Sequence, residues 1–174
     1  MSPEEKARTD IDQLLMAADW TVADVSKADI HARRGVAIRE FPLDQGFGFT
    51  DSLFYVDGKA AGVIEAKKQG STLTGVEIQS GRYAQGLPAA LPAHRRPLPF
   101  LYESTGIETH FTSALDPEPR ARNVFAFHRA ETMAQWLSAA PPADGQPAVH
   151  ETYPGYELGT FLHRVRHLSR QYAS

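Results

Sequence analysis

Two acids and a lysine stand in one short stretch of the chain, Asp51, Glu65 and Lys67 in DSLFYVDGKAAGVIEAK. Side chains alternate along a strand, so Glu65, Lys67 and Val63 fall on one face of the 60–67 run. A glutamate and a lysine on the apolar face of a strand are costly unless they pair or bind a metal. Two carboxylates supply the hard oxygen ligands that Mg²⁺ takes. Such an ion polarises a phosphate and acidifies a bound water. A lysine beside it orients that water and offsets charge in the transition state. The set therefore suits hydrolysis of a phosphodiester. Spacing alone leaves a second reading open, a surface salt-bridge cluster at strand ends, because Glu-x-Lys is a common pattern.

For the set to act together, Asp51 and Glu65 must share a sheet face. Asp57-Gly58-Lys59 between the two runs is a hairpin signal. A regular two-residue loop pairs Asp51 with Ile64 and sends the two acids to opposite faces. An odd loop, or a bulge near the turn, brings them together, with Gly58 at positive φ.

The elements that would position these residues read as follows. Residues 4–18 form an amphipathic helix, with Ile11, Leu14, Leu15 and Ala18 at i, i+3, i+4, i+7 and Ser2-Pro3 at its start. Residues 26–35 are turn-like, and Val36 to Phe41 is a strand closed by Pro42. Strands at 51–56 and 60–67 precede a helix over 73–87, with Leu73, Val76, Ser80, Tyr83 and Leu87 on one face. Prolines make 88–97 a loop, and short strands at 98–103, 107–113 and 124–127 lead to a helix at 130–137. Residues 139–147 are rich in Ala and Pro, as a linker is, and 156–172 form a final helix with a basic stretch. The mixture indicates an α/β or α+β domain on one central sheet.

Composition sets further bounds. A chain of 174 residues, 42% hydrophobic, can bury a sizeable core. The absence of cysteine excludes disulfides and thiolate metal sites. His110 and His128 are isolated, which argues against zinc. The first six residues are polar and no apolar run approaches a membrane span, so a cytoplasmic, soluble protein is expected. A net charge of −3 is unlike that of a stand-alone DNA binder. It implies weak intrinsic affinity for duplex DNA and targeting by a larger context.

Several pieces in fixed order now add to the acid–lysine set: REFP at 39–42, LFYVDGK at 53–59, VIEAKK at 63–68, Gln79-x-x-x-Tyr83, PFLYESTG at 99–106 and FHR at 127–129. Together they make the sequence resemble, from about Glu4 to Leu137, the N-terminal endonuclease region of the R (restriction) subunit of type I restriction–modification enzymes, within the PD-(D/E)xK nucleases. The resemblance implies a restriction-endonuclease-like central mixed β-sheet flanked by helices and Mg²⁺-dependent cleavage of double-stranded DNA. It assigns Asp51, Glu65 and Lys67 to catalysis, the two acids to the metal, and Gln79 and Tyr83 to the surroundings of the scissile phosphate. It offers Glu5 as the first-helix glutamate that joins such sites. It also implies a nuclease domain over 1–138 and a segment, 139–174, leading toward a helicase-like motor, with methyltransferase and specificity subunits as partners.

The sequence departs from the family in having Ser52 where Tyr commonly follows the aspartate. It lacks a Gly-x-x-x-x-Gly-Lys-Ser/Thr loop, so ATP would enter only through a motor domain absent from this sequence. Two other functions stay open: a degenerate nuclease fold used for DNA or subunit docking, and a nuclease of a repair or mobile-element system. Individual residues keep alternatives too. Tyr83 fits a core position with Gln79 as its polar neighbour, and Glu5 fits a helix N-terminal acid. Arg33, Arg34, Arg39, Lys68 and Arg82 are candidate phosphate contacts that would equally form a solvated basic face.

Overall fold

The computed structural model describes residues 1–142. The expected final helix, and the linker beyond residue 142, lie outside the described residues. Helix α1, Pro3–Ala17, starts on a capping box: Ser2 Oγ accepts from Glu5 N and the Glu5 carboxylate accepts from Ser2 N. It buries Ala7, Ile11 and Leu15. Strand β1, Thr21–Asp24, and a 3₁₀ turn, Val25–Lys27, lead to β2, Gly35–Pro42. Then come β3, Phe49–Val56; β4, Lys59–Ala66; α2, Glu77–Gln85; β5, Phe100–Ser104; β6, Thr109–Ser113; β7, Arg122–Val124; and α3, Ala130–Ala139.

The seven strands form one mixed sheet in the order β1 to β7. Neighbours are parallel at β1/β2 and β4/β5 and antiparallel elsewhere. An apolar layer covers each face. On one side Ile11 and Leu15 of α1 and Ala130 and Met133 of α3 pack with Trp20, Phe54, Phe100, Tyr102 and Phe111. On the other, Ala84 of α2 and the loop residues Leu87, Leu91 and Leu98 pack with Ile38, Leu53, Tyr55 and Val63. The chain is thus an α/β domain with helices on both sheet faces. Among the described residues no helix is long and apolar enough to cross a membrane.

Three elements differ from the sequence reading. The strand expected over 124–127 is Arg122–Val124, where the chain pairs with β6 from Thr109 to Phe111. β1 was not anticipated, because four residues, TVAD, show no usable alternation; the strand exists through its parallel pairing with β2. Helix α2 is shorter than 73–87. Gly75 at φ 87° breaks the chain ahead of it, and Leu73 is buried from the preceding loop instead of from the helix.

The β3–β4 hairpin decides what faces what. Its loop is even: Val56 pairs with Lys59 across Asp57 and Gly58, whose φ values of 49° and 77° are both left-handed. The tight mirror-image hairpin turns require such values. The register then slips by one residue. Tyr55 pairs with Ala60 but Phe54 with Gly62, so Ala61 is the extra residue of a β-bulge. Ser52 consequently lies opposite Ile64, which aligns Asp51 with Glu65. The bulge, not an odd loop, supplies the change of parity.

Gly62, beside the bulge, has no room for a side chain. A Cβ there would sit 2.3 Å from the Phe100 carbonyl oxygen of β5. Gly62→Ala must therefore push β4 and β5 apart where they pair. A loss of roughly 1–3 kcal/mol, the usual cost of overpacking, is expected in urea unfolding. A wild-type midpoint would show that the strands can part at no cost.

Candidate active site

Glu65 lies at the end of β4, 4% exposed. Its Oε1 accepts from Lys67 Nζ at 2.7 Å. The same ammonium donates to Gln79 Oε1 at 3.0 Å, and Gln79 Nε2 donates to Tyr83 Oη at 2.8 Å. Gln79 and Tyr83 are one turn apart on α2, which packs over β4 and β5. A line of hydrogen bonds therefore runs from the buried acid through the lysine to the helix. Two of the three ammonium hydrogens are committed within it, leaving one for a further acceptor.

Asp51 is held from two sides. Oδ2 accepts from the Ala66 backbone N–H at 2.8 Å. Oδ1 takes the Arg8 guanidinium, with Nε at 2.8 Å and NH2 at 2.6 Å. Arg8 also reaches Glu40 at 3.2 Å. Burial pushes the Glu65 carboxyl above its ordinary range; Lys67 pulls it down, and the neighbouring Asp51 charge pushes it up again. The two acids are thus close enough to repel, which a shared cation would relieve.

The donor set offers two carboxylates, which suit a hard dication. Among the described residues no group of three His, Cys, Asp or Glu side chains gathers. A zinc site needs three or four such ligands. Mg²⁺ uses one or two carboxylates and keeps several waters. Asp51 and Glu65 match that requirement.

Other expected residues lie elsewhere. The Glu5 side chain is exposed and engaged by Ser2 N, so the structure gives it to helix capping and does not bring it to the acid pair. Arg33 pairs with Asp19 at 2.9 Å, and Arg34 with Asp57 of the hairpin turn at 3.0 Å. That turn is six residues of β4 from Glu65, about 20 Å at strand rise. Arg33 and Arg34, read from the sequence as candidate phosphate contacts, therefore stand at the opposite end of the sheet from the acid pair. Arg39 bridges Asp12 at 2.7 Å and Asp24 at 3.0 Å, tying α1 to β1. Lys68 is exposed beside Lys67. Arg82, one turn beyond Gln79, stacks 5.9 Å from the Phe47 ring centre and donates to the Gly46 carbonyl.

Sequence reasoning missed Arg8 and Glu103. Nothing in the spacing linked Arg8 to Asp51, 43 residues away. Glu103 stood inside PFLYESTG without a role. It is fully buried, is the register neighbour of Glu65 on β5, and lies beneath Ser80 of α2. Ser80 has one hydroxyl hydrogen and two partners, Glu103 Oε1 and the Glu77 carbonyl at 3.2 Å. Glu103 Oε2 has none among the described residues. A protonated Glu103 satisfies the group best, donating to Ser80, which donates to Glu77. Burial raises the carboxyl accordingly, with Ser80 opposing and Glu77 reinforcing.

No family model and no curated protein matches the sequence. A solved structure does: a fragment assigned as an HsdR subunit of a type I restriction enzyme from Vibrio vulnificus YJ016. It is 16% identical, with a TM-score of 0.55 over 79% of this chain. The chain spans a quarter, 25%, of that structure's length. The likeness is one of fold.

A raised Glu103 pKa has a defined sign. The folded state keeps a proton that the unfolded chain releases above its ordinary value of 4.5. Stability from this group is therefore full in acid and declines as pH rises through that value toward the raised one. Glu103→Gln should flatten the decline that denaturation series show as pH rises above the ordinary value of 4.5. Equal slopes in the two proteins would mean that Glu103 is ionised in the fold.

Proposed function

We propose that this chain is an Mg²⁺-dependent endonuclease domain acting on double-stranded DNA, as part of the R subunit of a type I restriction system. The observation that carries the reading is the convergence of Asp51, Glu65 and Lys67 with Gln79 and Tyr83 at one end of β3, β4 and α2. The fold shared with the HsdR fragment agrees with it. On this reading residues 1–138 are the nuclease unit and 139–174 lead toward a motor domain. DNA would be delivered by that motor and by the methyltransferase and specificity subunits.

The residues divide the work as their bonds dictate. Asp51 and Glu65 would hold the ion, which when bound polarises the phosphate and acidifies a coordinated water. Lys67 is fixed by Glu65 and Gln79 with one N–H unspent, suited to a non-bridging phosphate oxygen as negative charge builds there. Gln79 sets the lysine's direction and is itself set by Tyr83, whose hydroxyl hydrogen remains free to donate. The attacking water oxygen would form the new P–O bond as the bond to the leaving sugar oxygen breaks, the water giving its proton to solvent and the sugar oxygen taking one from it.

One observation favours a second reading, a degenerate docking module: each acid already has its own cation, Arg8 on Asp51 and Lys67 on Glu65. Cleavage separates the two. Supercoiled plasmid should be nicked by the chain with Mg²⁺ or Mn²⁺ at high protein concentration. Asp51→Asn and Lys67→Ala should each lower the rate by about 10²-fold or more, and Asp51→Asn should abolish metal binding in calorimetry. A folded wild-type chain that neither binds the ion nor cleaves, alone or with its motor and partner subunits, would leave the docking reading.

A further inference from the structure

The oxygen of Asp51 that a metal would take already holds a cation of the protein's own. Oδ2 faces the β4 backbone and accepts from Ala66 N, so the outward oxygen is Oδ1, and Arg8 occupies it with two N–H groups, at 2.8 Å and 2.6 Å. The Asp51 side chain is 12% exposed, whereas Arg8 is 48% and Glu40, the second partner of Arg8, is 69% exposed. The arginine therefore bridges an inner carboxylate and an outer one. Glu40 stands directly across β2/β3 from Asp51, between the pairs Arg39–Ser52 and Phe41–Thr50. Its left-handed backbone, φ 47°, is unusual for a residue with a side chain.

The helix explains why a cation sits there. Arg8 follows Glu5 by three residues, nearly one turn of α1. Glu5 is spent on the capping box, so α1 offers the acid pair a guanidinium in place of a third carboxylate. A dication at Asp51 Oδ1 and a guanidinium bonded to the same oxygen repel at close range. Both cannot hold it fully.

We propose that Arg8 is the resident counter-ion of the metal site: it holds Asp51 Oδ1 in the metal-free domain, yields that oxygen when the divalent cation binds, and keeps Glu40 as its partner at the mouth of the site. The inference rests on the metal-site reading above. It makes Arg8 a competitor for the ion and a determinant of metal affinity. Once displaced, the guanidinium remains beside the acid pair, in reach of an incoming phosphate, to which its planar fork is suited.

Calorimetric titration of the chain with Mn²⁺ or Ca²⁺ tests this without any cleavage assay. Arg8→Ala should bind the ion about five- to tenfold more tightly, the order expected when a partly exposed ion pair no longer opposes binding. Arg8→Lys, which keeps the charge but loses the fork, should fall between. Arg8→Gln retains the side-chain stem and replaces the alanine variant should that fail to fold. In thermal melts the uncharged Arg8 variant should start lower than wild type without metal and gain more on adding it. Unchanged or weaker affinity in Arg8→Ala and Arg8→Gln, with binding abolished by Asp51→Asn, would overturn the role of Arg8 and leave the metal site standing. Wild-type affinity in Asp51→Asn would remove the site itself, and this role with it.

Discussion

One extra residue in a strand governs the whole site. Without the bulge at Ala61, the even turn at Asp57-Gly58 would put Asp51 and Glu65 on opposite faces of the sheet. Gly62 makes the arrangement possible, because the β5 backbone closes against the bulged strand where a side chain would have stood. The parallel β4–β5 pairing then places Glu65 beside Glu103 and sets α2 above both. Turn, bulge and glycine are thus one device, and it fixes the face on which every polar group of the site stands.

The electrostatics follow from that crowding. Two carboxylates near each other and largely out of water need positive charge. The fold supplies it from two directions, Lys67 from the same strand and Arg8 from the first helix. Glu103, a third acid just behind, is handled differently. Among the described residues no lysine or arginine pairs with it, burial pushes its carboxyl up, and it bonds to α2 through Ser80. The helix carrying Gln79 and Tyr83 is therefore tied to the sheet by a polar bond at Ser80 as well as by the apolar contact of Ala84. Burial pushes both neighbouring carboxyls up, and they differ in what opposes it, chiefly Lys67 at Glu65 and Ser80 at Glu103.

The basic residues that the sequence offered as phosphate contacts are mostly engaged elsewhere. Arg33, Arg34 and Arg39 are each bonded to aspartates away from the acid pair, where they fasten loops and the first helix. Arg82 is stacked and bonded to a carbonyl, which leaves Lys68 exposed beside the site.

The sequence alone narrowed the class to α/β or α+β on one central sheet, and it indicated the central hairpin, the start of α1 at Ser2-Pro3, and an acid–lysine set that could act together. These follow from local rules, strand alternation, helix spacing and turn chemistry, and from an ordered set of short motifs. It also implied that the two acids could meet only through an odd loop or a bulge, without deciding which. Tertiary structure made that choice, because a bulge at Ala61 depends on how closely β5 can approach Gly62. It alone revealed β1, which four residues cannot announce and which exists by pairing with β2. It gave Glu5 to the helix cap, removed Arg33 and Arg34 to the far end of the sheet, and brought Arg8 to Asp51 across 43 residues of chain. Side chains such as Arg8 and Glu103 acquire their roles from neighbours distant in sequence, and a charge has no fixed partner until the backbone has chosen its faces.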